Sequence, residues 1–444
     1  MKNNLSFFYR IINKIFFSTP LFTIVYPSAY PCVFSYKNLF TNFLFFTKNK
    51  KINKSVKFFF QIFFKFLMDL LKFFYSPLIL IIYFSKYRFI QLDHSQIGTL
   101  CLHINGMSKF HYLKNHLPII CLPRTVDKFR IISVFKDIKI INNTFINILL
   151  LPLINCNIIS CPPYNIDYFT NSKLEKIGEN FITKILKDYE KRISKNLFVF
   201  DNKYENRMYK FFLENFKKID LNKIIILHAR DYDYLVTSYL RCADIKNYVP
   251  SINYILEKGF SVIRLTNNKT KSLKIEGKYF ELNTDIFSNR HFQYYLISKS
   301  KGFIGCSSGA NAIANMFEIP NLSVNLFYLS TWSIKPNDVY IFKKIKDPKG
   351  NYINYRYLFR TRFFETYGLS LHKVNKENLE VIENSSDEIL EATKEFININ
   401  QDNSVKEFSI LQKKFKDSIP KTSDYSHSEA RISKYFIEKH SKLF

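Results

Sequence analysis

The stretch KIIILHARDYDY, residues 223–234, decides the fold. Four consecutive apolar residues run into His228, Arg230, Asp231 and Asp233, and a short apolar run ending in polar residues is the pattern of a strand buried on both faces. It is preceded by an amphipathic stretch from Tyr204 to Lys218 and followed by a regular alternation. NYVPSINYILEKG (247–259) reads as helix, FSVIRLT (260–266) and KYFEL (278–282) as strands, and HFQYYLISKS (291–300) as helix. GFIGC (302–306) is then a strand, ANAIANMFEIP (310–320) a helix and LSVNLF (322–327) a strand. Strands alternating with helices predict a parallel sheet covered on both sides. A Rossmann-like domain is therefore expected over residues 204–345.

Upstream, RFIQLDH (88–94), PIICLP (118–123), a helical TVDKFRIISVFKD (125–137) and IKIINN (138–143) repeat the alternation, which gives a first Rossmann-like domain over 86–203. Residues 346–444 are polar and read as a mostly helical extension packed on the body. The expected fold class is α/β, with two Rossmann-like domains, a basic aromatic extension over 1–85 and a helical C-terminal extension. A chain of 444 residues is long enough for that number of units. No internal repeat is visible.

Composition narrows the partners. Hydrophobic residues make up 47% and charged residues 23%, which excludes a disordered polar chain. The 65 basic residues exceed the 37 acidic ones by 28, so the partners are anionic: nucleic acid, phosphorylated small molecules or a membrane face. The 47 phenylalanines and only 10 glycines are also what A/T-rich codons supply. No helix-turn-helix, RNA-recognition aromatic pair or zinc module is readable, and Lys is dispersed along the chain, so nucleic acid is not the expected partner. Seven cysteines, an odd number without a CxxC pair, indicate neither a zinc site nor a disulfide scaffold. Scattered thiols fit a reducing compartment, the cytoplasm. His94, His103, His111 and His116 fall on no repeated face, and no metal site is expected.

In residues 1–85 aromatic and Lys-rich runs alternate, and Asp69 is the sole acid. Lys65, Asp69, Lys72 and Pro77 interrupt the apolar stretch from Phe58 to Phe84, which argues against a membrane span. The expectation is a basic amphipathic arm lying on an anionic inner leaflet.

In open α/β sheets ligands sit beyond the carboxyl ends of the strands. Three such ends stand out. The first carries His228, Arg230, Asp231 and Asp233; a guanidinium fork there suits a phosphate, and the aspartates are candidates to orient Arg230, bind substrate hydroxyls or take a proton from an acceptor. The second is GFIGCSSG, where Ser307, Ser308 and Gly309 lead into an apolar helix whose free N–H groups favour an anion. It is neither a P-loop nor GxGxxG, and the GxSxG elbow of a nucleophilic serine is absent. The third is Arg264, with Arg241 upstream in RCADIKNY. Together these ends fit a diphosphate.

The run His228-Ala-Arg230-Asp231, Arg241 with Asp244 and Tyr248, GFSVIRL ending near Arg264, and FIGCSSG is similar in order and spacing to a family of bacterial glycosyltransferases. The resemblance spans about residues 86–440 and includes IGTL at Ile97–Leu100, VYIFKKIKD and the terminal ARISKYFIEKH. That family has a GT-B-like fold and is distantly related to the α1,6-fucosyltransferase and protein O-fucosyltransferase group, whose H-x-R motif holds the nucleotide diphosphate. The resemblance implies a metal-independent hexosyl- or deoxyhexosyltransferase without cofactor. It implies a nucleotide-sugar donor, a glycan or lipid-linked glycan acceptor in cell-surface polysaccharide synthesis, and a place at the cytoplasmic face of the inner membrane. His228, Arg230, Arg241, Arg264, Ser307, Ser308 and Gly309 are then donor-binding, with Arg230, Asp231 and Asp233 catalytic. HFQYYLISKS lacks the acid usual before the FIGCSSG strand, and TNNKT (266–270) lacks a glycine. These departures carry the alternative of an inactive assembly subunit, and the basic charge with plentiful aromatics carries that of a nucleic-acid-binding protein.

Overall fold

The computed structural model describes residues 84–91, 97–122, 135–143, 159–160, 182–193, 195–217, 219–230, 236–327, 335–364, 367–402, 407–421 and 423–444, with isolated positions before residue 84. The expected arm over 1–85, most of the expected helix over 125–137, and Asp231 and Asp233 lie outside the described residues. The chain divides into two compact units, one of residues 1–96, 107–133 and 138–178, the other of residues 97–106, 134–137 and 179–444.

The first unit is built on β1 (Tyr87–Gln91), β2 (Leu117–Leu122), β3 (Lys139–Asn142) and β4 (Ile159–Ser160); helix α1 (Ile97–Leu113) lies between β1 and β2 in the chain, its residues 97–106 belonging to the second unit and the rest to the first. The sheet is wholly parallel in the order β3-β2-β1-β4, with Phe89 in register with Ile119 on one side and Ile159 on the other. Helix α1 is not among the helices that the sequence pattern predicts; its IGTL start enters there only as part of the resemblance. It buries polar Asn105, Ser108, Lys109 and His111 along with Leu100, Cys101, Leu102 and Ile104, so it shows no apolar stripe for a periodicity argument to find.

The second unit opens with α2 (Ile182–Arg192) and α3 (Asn202–Asn215). Asp201 caps α3 by accepting from the Tyr204 N–H at 2.8 Å, and Tyr204, Met208 and Phe212 form its buried stripe. Then follow β5 (Ile224–His228), α4 (Val249–Glu257), β6 (Ser261–Thr266), β7 (Tyr279–Asn283), α5 (Phe287–Lys299), β8 (Gly302–Gly305), α6 (Gly309–Met316), β9 (Asn321–Leu326) and β10 (Val339–Phe342). The remainder holds β11 (Lys344–Lys346), α7 (Tyr355–Arg360), α8 (Tyr367–Glu377), β12 (Glu380–Ile382), α9 (Ser386–Asp402), α10 (Ile410–Ser418), β13 (Arg431–Ile432) and α11 (Lys434–Lys439).

The seven-stranded sheet is parallel throughout, in the order β13-β10-β9-β8-β5-β6-β7. From β5 the chain winds outward through β6 and β7, then returns to the other side of β5 and winds outward through β8, β9 and β10. Every residue of β6, β8, β9 and β10 is buried, as a parallel sheet covered on both faces requires. The anticipated α/β class with two Rossmann-like sheets is the one observed.

Residues 346–444 are mostly helical, as expected, but they belong to the core of the second unit. β13 extends the main sheet by pairing Val339 with Arg431, and β11 and β12 form an antiparallel ribbon. Around Phe342 the rings of Phe359, Phe364, Phe415 and Tyr425 pack edge-on or stacked, and the C-terminal Phe444 stacks on Tyr355 with centroids 4.8 Å apart. Much of the aromatic surplus is thus packed interior.

Candidate functional site

The reversal of winding direction falls between β5 and β8, and in open α/β sheets such a switch point is where ligands bind, beyond the carboxyl ends of the strands. His228, the last residue of β5, is in register with Gly305, the last of β8. The two exits are laced together: the Cys306 N–H donates to the His228 carbonyl at 3.2 Å, and the Arg230 N–H donates to the Cys306 thiol at 3.2 Å. Gly305 is required at this approach, because a Cβ there would stand 2.8 Å from the Asn311 amide oxygen and 3.2 Å from the His228 carbonyl. The neighbouring loop is tied in by the Ala243 N–H, which donates to the Arg230 carbonyl at 2.9 Å.

Positive charge gathers here. The Cys306 thiol, raised by burial, is pulled back by the charges of Arg230, Lys343 and Arg241, so all three lie within electrostatic reach of one point. Cys242 senses the same three, and burial still pushes its thiol up to about 11. Lys343, 2% exposed, leaves the end of β10 and donates to the Cys242 carbonyl, with Glu383 4.0 Å away. Burial pulls its ammonium down, and Glu383 offsets part of that. His228 is held near a pKa of about 4, first by burial and next by the Arg230 charge; its Nδ1 lies 3.3 Å from the Leu265 carbonyl. At neutral pH the ring is an uncharged donor and acceptor within a cationic set.

The serines of the second strand end face inward. Ser307 Oγ accepts from the Phe327 N–H at 3.1 Å, Ser308 Oγ donates to Asn311 Oδ1 at 3.0 Å, and both residues are fully buried. Ser308 stands at the N-cap of α6 without a side-chain cap bond. Gly98 of the IGTL stretch lies so near Gly309 that a Cβ on it would come within 2.6 Å of the Gly309 Cα.

Arg264 behaves differently. It is wholly buried and gives Nη1 to the Lys271 carbonyl at 2.8 Å and to Glu281 Oε1 at 3.0 Å. Glu281 also accepts from Ser272 Oγ, the Leu273 N–H and Tyr279 Oη. Burial alone would raise this carboxyl, but those bonds and the Arg264 charge bring it below its ordinary value. This cluster fastens the loop after β6.

The structure thus brings His228, Arg230 and Arg241 together with the Ser307–Gly309 turn and commits the Arg264 guanidinium to Glu281. Lys343 was missed: it follows an apolar run in VYIFKK, as Arg230 follows one in IIILHAR, but a lysine pair reads as a solvated face. Among the described residues, no group of three or more His, Cys, Asp or Glu is arranged to hold a metal, and no helix is long and apolar enough to cross a membrane.

No protein-family model and no curated protein matches the chain. Among solved structures it is similar to a glycosyl transferase family 9 protein from Veillonella parvula DSM 2008, at 9% identity and a TM-score of 0.44, over 71% of this chain and 98% of that one. It is also similar to the ADP-heptose lps heptosyltransferase II of E. coli, at 10% identity and a TM-score of 0.36, over 65% and 98%. A third is the iron-containing dodecameric glycosyltransferase TibC from enterotoxigenic E. coli H10407, at 11% identity and a TM-score of 0.32, over 53% of this chain and 57% of that one. These structures are described as heptosyltransferases or a family 9 transferase, not fucosyltransferases. Overlap at this level carries no function from one chain to another.

Proposed function

We propose that the chain is a glycosyltransferase whose second unit binds a nucleotide diphosphate-sugar at the β5/β8 switch point and passes the sugar to a growing cell-surface glycan, free or lipid-linked. The observation that carries the reading is the gathering of Arg230, Arg241 and Lys343 at that point of the sheet. A crevice at a switch point selects ligands that lie across strand ends, and three cations with neutral His228 select a diphosphate among them.

In this mechanism the bond between the anomeric carbon and the diphosphate oxygen breaks while the acceptor oxygen bonds to that carbon. Charge develops on the departing diphosphate, and Arg230 and Arg241 stabilise it from fixed positions, in the role a divalent ion takes elsewhere. Lys343 holds the 242 carbonyl and so the loop bearing Arg241. The acceptor proton passes to Asp231 or Asp233. The backbone N–H groups of the Ser307–Gly309 turn face the donor phosphate, and Arg264 serves the fold. Residues 1–85 hold the enzyme to an anionic cytoplasmic leaflet, for which their composition is the support.

Thermal unfolding with a panel of nucleosides, nucleoside diphosphates and nucleotide sugars tests the reading. At 100 times the dissociation constant a ligand stabilises by about 2.7 kcal/mol. A rise with diphosphates, absent with nucleosides and lost in Arg230→Ala, is expected; equal rises in wild type and variant would remove the donor site from this strand end.

A further inference from the structure

At the far edge of the same sheet, three strands from β8, a second site is built from residues that the switch-point chemistry does not use. A cavity of about 620 Å³ is lined by α9, the segment entering α10, Arg431 of β13 and the start of α11. Its size is that of a small-molecule site. Arg431 is 2% exposed, and its Nε and Nη2, the two donors along one edge of the guanidinium, have no hydrogen-bond partner among the described residues. Its guanidinium carbon lies 5.0 Å from the Phe408 ring centroid. A buried donor edge of this kind, lining a cavity, calls for an acceptor oxygen.

The rest of the lining says which oxygen. Glu395 accepts the Lys434 N–H at 2.8 Å through Oε2 and interacts with the Ser433 hydroxyl and the Arg431 charge, and a carboxylate has lone pairs beyond these partners. Lys394 is paired with Glu391 at 2.7 Å, and Lys434 lies 3.9 Å from Glu438. With Glu407 the wall carries four glutamates against Lys394, Lys434 and Arg431, so it disfavours phosphates and other polyanions. Asn398 is exposed and Tyr435 is 37% exposed, the latter presenting a ring with Lys439 5.3 Å from its centroid. Buried donors, half-buried acceptors, an amide and an aromatic ring around a near-neutral cavity match a ligand whose groups both donate and accept and whose ring has an apolar face.

We propose that this cavity binds a neutral saccharide unit, with adjacent hydroxyls on the Arg431 edge, a hydroxyl donating to Glu395 and the sugar face against Tyr435. The proposal is independent of the donor-site reading, because no residue is shared.

The test is ligand-observed NMR and calorimetric titration of the full chain with neutral mono- and oligosaccharides, with glucuronate, inorganic phosphate and glycine as separate arms. Neutral saccharides are expected to bind, and the affinity to fall about tenfold in Tyr435→Ala and in Asn398→Ala, both at accessible positions. Arg431→Gln should remove binding; if it does not fold, the other two variants decide. Nucleoside diphosphate stabilisation should be unchanged in all folded variants, which separates this site from the switch point. No saccharide binding, binding unaltered in Tyr435→Ala and Asn398→Ala, or preference for phosphate, glucuronate or glycine over neutral sugars would overturn the proposal.

Discussion

Arg230 and Arg264 follow apolar runs of neighbouring parallel strands and look equivalent in sequence. Leu227 and Arg264 are in register, so Arg264 lies inside the sheet while Arg230 has already left it. That offset decides their chemistry. Within the sheet a guanidinium must find partners in the protein, and Arg264 finds them on β7 and the 267–275 loop. Beyond the strand Arg230 stays half-buried, beside two other cations and a neutral imidazole. An arginine two residues past a parallel strand is therefore better placed for a ligand than one within it.

The largest expected effect breaks the inner arginine's surroundings. Glu281→Gln removes the charge paired with a fully buried guanidinium, and losing one partner of a buried pair costs about 3 to 5 kcal/mol. Urea unfolding of the variant should show that loss with nucleotide binding retained in the folded fraction. A change below about 1 kcal/mol would mean that Arg264 is not pinned by Glu281, and the contrast with Arg230 would dissolve.

His228 sharpens the outer side of the comparison. Its pKa falls from 6.5 to about 4 through burial and then the Arg230 charge. The native ring is neutral while the unfolded ring takes a proton below about 6.5. This contribution is therefore fully present above that pH and is lost as pH falls through 6.5 toward 4, amounting to at most about 3 kcal/mol. Stability measured between pH 7 and 4.5 should fall less steeply in His228→Gln than in wild type. Parallel curves would show that the imidazole does not sit in a cationic, desolvated place.

Arg230 itself should govern ligand binding far more than it governs the fold. Arg230→Ala is expected to weaken nucleoside diphosphate binding about a hundredfold, near 2.7 kcal/mol, and Arg230→Lys about tenfold, since the ammonium keeps charge but loses the planar fork. Unfolding free energy should move by no more than about 1 kcal/mol in both, the typical effect at a half-buried position. Titration calorimetry beside urea unfolding gives the two readings, and a stability loss with intact affinity would return Arg230 to the class of Arg264.

Much of the second unit was legible because its strands are short apolar runs that punctuate the chain; all the strands and helices read between 223 and 327 occur where the pattern put them, to within a few residues. Helix α1 was opaque because burial on every side erases periodicity. The role of β13 was hidden since two residues, Arg431 and Ile432, carry no pattern, and only the pairing with Val339 and Tyr340 reveals them as a strand. At the site, strand exits were legible and side-chain commitments were not. Whether a guanidinium or hydroxyl faces the crevice or a neighbouring strand depends on register, which a single strand's sequence does not contain. Arg264 and Ser307 are both cases of this.

Ser307 gives the smallest and most discriminating effect. Its hydroxyl accepts from the Phe327 N–H just past β9, and because β8 and β9 are adjacent the bond ties their exits together. Removing it in Ser307→Ala takes one acceptor from a buried N–H, a loss of about 1 kcal/mol. The donor site as proposed grips phosphate through backbone N–H groups of the turn, and those are intact in the alanine variant. Affinity for nucleoside diphosphates should thus stay within about threefold, less than 1 kcal/mol, while stability drops. The opposite outcome, a tenfold loss of affinity at unchanged stability, would mean that the hydroxyl leaves Phe327 and turns to the ligand. Ser307 would then belong with Arg230 on the ligand's side of the strand exits, and the rule that inward commitment marks a structural residue would fail at the turn where it is most exposed to test.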